Sequence, residues 1–352
     1  MWARDPEQQG SRHQRKQVPV EGKESRKWLD GLRRTEERLK GQGHVVTIAD
    51  READVYELFA LAQTIQGDWL IRARHDRSVN GGTDRLRAVV ERAPVGLTLI
   101  REVPRSGHHG MRSATLAVRY ARVTLVPPHH EKAAHAHWWK EHPTIEHLVS
   151  QDLPPLSVGV ILVSEEDPPS GEPPLRWLLV TNLSVATPQA ALQCVDWYCQ
   201  RWKVEQFHYT LKSGCQAERL QLTQFARLQR ALALYSAVAW ALLYLTIHAR
   251  CDPEEPCTTV LGEDGWQALW TFFYPAVSLP PEPLPLHQAI LLVARLGGFL
   301  ARKHDGQPGV KTIWRGLTRL SDILATWRIL THACAPASSP FPFNLTKTQS
   351  YV

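Results

Sequence analysis

The sequence contains few cysteines, and none of them is paired in a recognisable motif. The six cysteines are scattered, without the CxxC spacing that structural zinc sites prefer; they lie at positions 194, 199, 215, 251, 257 and 334. This scatter argues against a disulfide framework and is typical of a reducing compartment. The residues from Arg4 to Lys27 are charged and polar and lack the apolar stretch of a secretory signal. We therefore expect a cytoplasmic protein.

Long apolar runs are also scarce, and only residues 231–247 approach the length of a membrane span. The surrounding residues favour a soluble helix, because an amphipathic pattern runs through this region at Leu228, Leu232, Tyr235, Ala239 and Leu242. We predict a buried core helix here and no membrane partner. An internal repeat is also lacking, and 352 residues are enough for one elaborated domain or for two domains.

Positive charge is in moderate excess, with a formal net charge of +6 and a pI near 9.0. This balance fits a polyanionic partner without establishing one.

Local patterns predict a helix over 23–40, a strand over 44–49, a helix over 51–64 and a strand over 69–74. β-type alternation then dominates to about residue 180, and helical patterns follow. Thr187 is a plausible N-cap, and Pro188 occupies the first helical position after it.

These patterns divide the chain into six segments. They are a linker or truncated edge (1–22), a first core part (23–76), a β-rich insertion (77–186), a helical second core part (187–250), a C-terminal helical domain (251–335) and a disordered tail (336–352).

A dense group of charges, DREAD at residues 50–54, follows the strand pattern of 44–49 without a turn residue. Ligands of open α/β sheets bind outside the carboxyl ends of strands, so Asp50 is a candidate site residue. Alternatively, Asp50 caps the following helix, and Arg51, Glu52 and Asp54 form its solvated first turn. These five residues alone leave both interpretations open.

Four polar residues recur at helical spacing in YCQRWKVEQFHYTLK, residues 198–212. On a continuous α-helix, at about 100° per residue, all four would lie within about 60° of one another; they are Tyr198, Arg201, Glu205 and Lys212. An exposed helix with a stabilising Arg201–Glu205 pair would show part of the same pattern. Tyr198 and Lys212 would lie on the same face although they are about four turns apart, and this favours a functional role for that face.

The spacing Tyr198–(2)–Arg201–(3)–Glu205–(6)–Lys212 matches the YREK signature of IS4-family transposases, and ADREADVYE matches the segment with their second catalytic aspartate. Further similar segments are KESRKWL (23–29), PLRWLLVTNL (174–183), SGCQAERLQL (213–222) and ARLGGFLARK (294–303), together with Trp314 and Gly316. The chain thus resembles Tn5-type transposases from about residue 2 to residue 331.

The resemblance implies an α/β fold with an RNase H-like core, a β-rich insertion and a C-terminal helical domain. Such enzymes hold two divalent cations about 3.5–4 Å apart with three carboxylates. Asp50 and Glu205 match the second and third, which makes them the implied catalytic residues and metal ligands. The implied cation is Mg²⁺, with Mn²⁺ as a substitute, because Mg²⁺ prefers carboxylate oxygens.

The implied partner is double-stranded DNA, as transposon terminal inverted repeats and as target. By the same match, Arg201 and Lys212 hold the backbone beside the cut, and Tyr198 hydrogen-bonds a phosphate oxygen. Trp177 matches the tryptophan that stacks on a flipped base, although a sheet-face aromatic is the alternative. The resemblance also implies a homodimer through the C-terminal helices and a bacterial, nucleoid-associated location.

The chain departs from the family pattern at the first catalytic aspartate. That residue should end a core strand before KESRKWL, yet the only aspartate there is Asp5. It stands in a turn-like context, RDPEQQG, and no strand pattern precedes it. We do not assign it this role. The pattern predicts an N-terminally truncated transposase that lacks its first core strands and one metal ligand, and is inactive alone.

Two other groups of residues favour structural roles. The histidines at 129, 130, 135, 137, 142 and 147 could bind a transition metal, but their irregular spacing favours a solvated loop. Gly297 and Gly298 lack the context of a phosphate loop and predict a close helix contact or a turn.

Two hypotheses about function therefore stand. The first is a cut-and-paste DNA transposase or its inactive remnant. The second is a non-catalytic DNA-binding and dimerisation fragment that inhibits a full-length transposase. Both predict salt-sensitive DNA binding through lysine and arginine.

Overall fold

The structure is a computed structural model that describes residues 18–104, 111–129, 132–150 and 152–331. The chain forms two compact units, one up to Arg201 and one from Trp202 onward. The predicted tail, most of the predicted linker, Asp5, His130 and Cys334 lie outside the described residues. The finer segment boundaries given by the sequence stay predictions.

The first unit is built on one eight-stranded sheet. Its strands are β1 (Val46–Ala49), β2 (Asp68–Arg72), β3 (Ser78–Val79), β4 (Asp84–Arg85), β5 (Val95–Pro104), β6 (Met111–Leu125), β7 (Leu156–Glu166) and β8 (Arg176–Thr181). The order is β1-β2-β8-β7-β6-β3-β4, and β5 also pairs with β6. Only β1 and β2 are parallel among these described strands. The predicted antiparallel insertion is therefore continuous with the core sheet through the β2–β8 pair.

The described residues of the first unit form five α-helices: α1 (Arg26–Leu39), α2 (Tyr56–Ile65), α3 (Leu86–Arg92), α4 (Lys132–Glu141) and α5 (Pro188–Gln200). The predicted cap of α5 is confirmed, because Thr187 Oγ1 accepts a hydrogen bond from the Ala190 N–H at 3.2 Å. The predicted helix over 51–64 is divided: residues Arg51–Ala53 form a short 3₁₀ turn, and α2 begins only at Tyr56.

Side-chain alternation along the strands produces a core on each face of the sheet. In β8, Leu178 and Val180 pack with residues of α1, α2 and α3, whereas Trp177 and Leu179 pack with α5. The same alternation separates Leu162 from Ile161 in β7. Since Tyr198 lies on α5, the sheet brings it onto the Trp177 face.

The linker prediction is wrong for its described end. Val20–Gly22 forms a 3₁₀ turn, and Val20 is buried in the main core. The buried carboxylate of Glu21 accepts hydrogen bonds from the backbone N–H groups of Leu148 and Val149 at 2.9 and 3.3 Å. Long-range packing thus orders a stretch that has no helical or strand periodicity.

The second unit is helical. Its helices are α6 (Trp202–Tyr209), α7 (Phe225–Cys251), α8 (Thr258–Phe273), α9 (Leu286–Leu296) and α10 (Val310–Thr331). The predicted close contact at Gly297 and Gly298 is confirmed: a Cβ on Gly297 would lie 1.9 Å from the Thr312 carbonyl oxygen, and Gly298 has a φ of +94°.

Helix α7 contains the long apolar run. By length and composition it is long and apolar enough to cross a membrane, and 39% of its most apolar window is buried inside the chain. Its C-terminal half is a core helix as predicted, with Ala239, Leu242 and Leu245 packed against the other helices. Other residues of the apolar run face outward: Leu234 and Trp240 are 71% and 60% exposed, so the prediction of a buried helix holds for only one face of α7.

Candidate functional site

Asp50 follows the last residue of β1 and begins the 3₁₀ turn Arg51–Ala53. Its Oδ1 accepts a hydrogen bond from the Glu52 N–H at 3.0 Å, so Asp50 caps this short turn. The prediction that it caps the following helix is wrong, because α2 begins at Tyr56 and its N-cap is Val55. The carboxylate is half-exposed. No other hydrogen bond to it is found within the described part of the chain, which leaves Oδ2 available for a ligand.

Asp54, the second aspartate of DREAD, is deeply buried, so its interpretation as part of a solvated first turn is wrong. Its Oδ2 accepts hydrogen bonds from the N–H groups of Arg74 and His75 at 2.6 and 2.8 Å. Arg77 donates to Oδ1 at 2.6 Å and also to the Asp54 carbonyl. The turn after Asp50 is therefore fixed to the segment after β2, and no local sequence signal reveals this.

Trp177 and Tyr198 meet on the α5 face of the sheet. Their ring centroids lie 5.5 Å apart at an interplanar angle of 62°, and Tyr198 is only 5% exposed. The Arg201 guanidinium lies 5.9 Å from the Tyr198 ring centroid, within range of a cation–π interaction. The structure thus brings together three of the sequence-predicted site residues.

Arg72, the last residue of β2, adds a positive charge that the sequence interpretation missed. Burial lowers the pKa of its guanidinium, and the positive charges of Arg51 and Arg201 act in the same direction, whereas Tyr198 acts in the opposite one. Arg51 and Arg201 therefore both lie close enough to Arg72 to affect its charge, and Arg72 also interacts with Tyr198. The sequence WLIRAR could have indicated this residue, because Arg72 follows three apolar residues at the end of the predicted strand.

The prediction of one α-helix over residues 198–212 is wrong. Helix α5 ends at Gln200, α6 begins at Trp202, and Thr210–Gly214 is a π-helical turn closed by a 2.8 Å hydrogen bond from the Cys215 N–H to the Thr210 carbonyl. Spacing at 100° per residue therefore does not place Lys212, because a π turn is wider than an α turn.

Glu205 and Lys212 lie in the second unit. Glu205 is exposed on α6, and Lys212 lies in the π-helical turn. The Lys212 ammonium is 3.4 Å from Glu218 Oε1, in an exposed ion pair. Such pairs contribute little to stability, at most about 1 kcal/mol, so an incoming anion can displace Glu218 at small cost.

Comparison with known families finds two matching domains along the chain. Residues 8–242 match the transposase DDE domain, which covers more than half of the chain. The chain belongs to the DDE transposase family. Residues 237–331 match the Tn5 transposase dimerisation domain, so this is a Tn5-like, IS4-family DDE transposase. The resemblance carried by DREAD and by the YREK spacing is confirmed at the level of the family.

DDE transposases in general use divalent metal ions. Two residues here have suitable chemistry, since Asp50 and Glu205 both present carboxylate oxygens to solvent. Within the described ranges, no group of three or more histidine, cysteine, aspartate or glutamate side chains is arranged to bind a metal ion.

The histidine-rich segment of this transposase is not a solvated loop, so that prediction is wrong. Residues Lys132–Glu141 form α4, and Trp139 is buried. Trp138 stacks on His142 with centroids 4.1 Å apart, and Trp139 stacks on His147 at 3.5 Å. His142 and His147 thus serve in aromatic packing, whereas His137 is exposed and pairs with Glu141. Irregular spacing in the sequence does not reveal this difference.

Proposed function

We propose that this transposase acts by the cut-and-paste route, with metal-dependent cleavage at insertion-sequence ends and transfer of the ends into target DNA. The observation that carries the proposal is the group formed by Trp177, Tyr198 and Arg201 beside Arg72. An aromatic surface next to several guanidinium groups suits an unstacked base and its flanking phosphates.

The proposed roles follow the resemblance of the sequence motifs to the family pattern, residue by residue. Tyr198 hydrogen-bonds a phosphate oxygen near the transposon end, and Arg201 and Lys212 hold the backbone beside the cut. Trp177 stacks on the flipped base. These side chains bind and orient the DNA and keep one base out of the helix, at a cost of a few kcal/mol for unstacking.

Asp50 and Glu205 are the proposed catalytic carboxylates and ligands of Mg²⁺, with Mn²⁺ as a substitute. Bound divalent cations would supply activation of water or a 3′-hydroxyl and stabilisation of the leaving oxygen. The cap hydrogen bond from the Glu52 N–H fixes one oxygen of Asp50, so its side chain is oriented before any cation binds.

The proposed fold of the core is RNase H-like. Parallel β1 and β2 followed by antiparallel β8, with α5 on one face, support it. In the described sheet β1 is an end strand, and its outer edge is where the first strands of such a core would pair. We further propose the segments 23–76 and 187–250 as the two parts of this core, 77–186 as the insertion and 251–335 as the C-terminal domain, in a cytoplasmic, nucleoid-associated protein.

These 352 residues are proposed to be inactive in strand cleavage by themselves, since the sequence motifs resemble the family pattern at only two of its three carboxylates. Two carboxylates would bind a pair of cations less tightly than three. The negative charge on the attacking and leaving oxygens would then be stabilised less well.

The test combines binding and cleavage. Duplex DNA carrying the ends of the flanking insertion element is titrated with the chain at several salt concentrations, and we expect affinity to fall steeply as salt rises. Absence of binding at low salt would contradict a transposase function. Nicking is then measured with Mg²⁺ or Mn²⁺ for the chain, Glu205→Ala and the surface control Glu37→Ala, and no cleavage is expected. Cleavage lost only in Glu205→Ala would overturn the proposed inactivity and support the catalytic role.

A second candidate function is inhibition of a full-length transposase by this chain, and the match of residues 237–331 to a dimerisation domain favours it. Mixing the chain with an active Tn5-like transposase then lowers strand cleavage as mixed dimers form. Unchanged cleavage at a large excess of the chain would contradict this function.

A further inference from the structure

A small basic pocket lies in the first unit, separate from the Trp177–Tyr198 pair. It has a volume of about 120 Å³, its floor includes Leu162 and Leu178, and its polar lining comprises Arg51, Arg87, Arg176 and Glu91. These side chains come from the turn after β1, from α3 and from β8. The pocket therefore adjoins the DREAD turn.

Strand alternation places this pocket on the other face of the sheet from Trp177. Leu162 and Leu178 belong to the core that packs against α1, α2 and α3, whereas Trp177 and Tyr198 belong to the α5 core. Arg176 and Trp177 are neighbours in β8, and successive strand residues project to opposite faces. The pocket is thus a second basic site reached from a different side of the same strand ends.

The charge of the pocket is unbalanced. Three guanidinium groups face a single carboxylate, that of Glu91, which pairs with Arg176. Neither Arg51 nor Arg87 forms an ion pair with another described residue. The Arg72 guanidinium lies nearby, because its Nη2 donates a 3.0 Å hydrogen bond to the backbone carbonyl of Arg176. Such a convergence of like charges is stabilised by a bound anion.

Guanidinium groups prefer oxyanions that accept two hydrogen bonds at once, and phosphate is the oxyanion that a DNA partner carries in excess. The volume of about 120 Å³ admits one oxyanion group and is too small to enclose an extended ligand. The arginines at the rim can reach a phosphate group that remains part of a polymer.

We infer that the pocket lined by Arg51, Arg87 and Arg176 binds one backbone phosphate of DNA, away from the strand held by Tyr198 and Arg201. This inference rests on the proposed function. Glu91 competes with the phosphate for Arg176 and weakens binding until the phosphate displaces it.

The test is the salt dependence of DNA binding, measured by fluorescence anisotropy on a duplex of any fixed sequence. Arg87→Ala removes one phosphate contact, so we expect weaker binding and a slope of log K against log salt that is smaller by about 0.9. Arg34→Ala is the matched control, because Arg34 is an exposed arginine on α1 outside the pocket. It should leave the slope unchanged. Glu91→Gln should tighten binding, since Arg176 loses its competing partner.

The outcomes separate this inference from the proposed function. Loss of salt-sensitive binding in the unmodified chain would contradict the proposed function itself. The pocket inference fails, and the transposase proposal stands, if the unmodified chain binds DNA and Arg87→Ala has the same slope of log K against log salt. It also fails if Arg34→Ala reduces that slope as much as Arg87→Ala does. Weaker binding by Glu91→Gln would also overturn the inference. Arg87 is exposed, so a folding defect is not expected, and circular dichroism verifies this.

Discussion

At the scale of single residues, two aspartates four positions apart have opposite environments. Asp50 is half-exposed and accepts one hydrogen bond from its own turn. Asp54 is buried and accepts from two backbone N–H groups and from Arg77. Asp50 can exchange water for a ligand. Both oxygens of Asp54 are already hydrogen-bonded within the protein, and these bonds hold the turn that follows Asp50. Identical side chains thus acquire different roles from burial alone.

Asp54→Ala should therefore destabilise the first unit. It leaves the mostly buried Arg77 and two backbone donors without their carboxylate, and loss of one partner of a buried ion pair costs about 3–5 kcal/mol. Urea unfolding followed by tryptophan fluorescence measures the change. Asp54→Asn should lower the free energy of unfolding by less, because an amide oxygen still accepts hydrogen bonds from the backbone N–H groups.

The control for this prediction is Asp84→Ala, which removes an exposed ion pair with Arg92. Its cost should stay below about 1 kcal/mol. Equal effects of Asp54→Ala and Asp84→Ala on the free energy of unfolding would contradict the anchoring role.

At the scale of elements, the contact between α9 and α10 depends on glycine. A Cβ on Gly316 would lie 1.8 Å from the Val293 carbonyl oxygen, and a Cβ on Gly297 would meet the Thr312 carbonyl in the same way. These obstacles are backbone atoms, which cannot move aside as a flexible side chain can. The two helices must separate to accept any larger residue, and the packing around them would be lost.

Gly316→Ala should lower the free energy of unfolding of the second unit by about 1–3 kcal/mol or more, as overpacking does. Gly31→Ala is the matched control, because Gly31 also lies within a helix but a Cβ there meets nothing within 4 Å. It should raise stability by about 0.5–1 kcal/mol through its higher helix propensity. Chemical unfolding of the full chain measures both changes, and a shift of the same sign in both would refute the close contact.

At the scale of the whole molecule, apolar surface remains on the second unit, inside the region that matches the dimerisation domain. Ile329 and Leu330, near the end of α10, are 72% and 77% exposed. Adjacent exposed aliphatic residues of this size are unusual unless a partner covers them. The family match provides that partner, since it indicates a homodimer.

The double substitution Ile329→Glu with Leu330→Glu should therefore reduce dimer formation, because two carboxylates would have to be desolvated in the interface. Sedimentation velocity over a range of protein concentrations measures the association. Ile100→Glu is the control, since Ile100 is similarly exposed but lies on β5 in the first unit. An unchanged dimer fraction in the double variant would exclude this end of α10 from the interface.

The sequence by itself determined the features that depend on neighbours along the chain. The strand ending at Ala49, the Thr187 cap of α5 and the glycine contact after α9 were all predicted from local patterns. They follow from periodicity, capping chemistry and backbone freedom, which act over a few residues. The family could also be assigned, because motif spacing is a property of the chain.

Only the tertiary structure decided which side chains are buried and which meet. It buried Asp54 beside Arg77, packed Trp177 against Tyr198 on one face of the sheet and gathered Arg51, Arg87 and Arg176 around one pocket. It also replaced the expected α turn around Lys212 with a π turn. These outcomes depend on strand pairing and packing between residues far apart in the chain, whose energies no local pattern records.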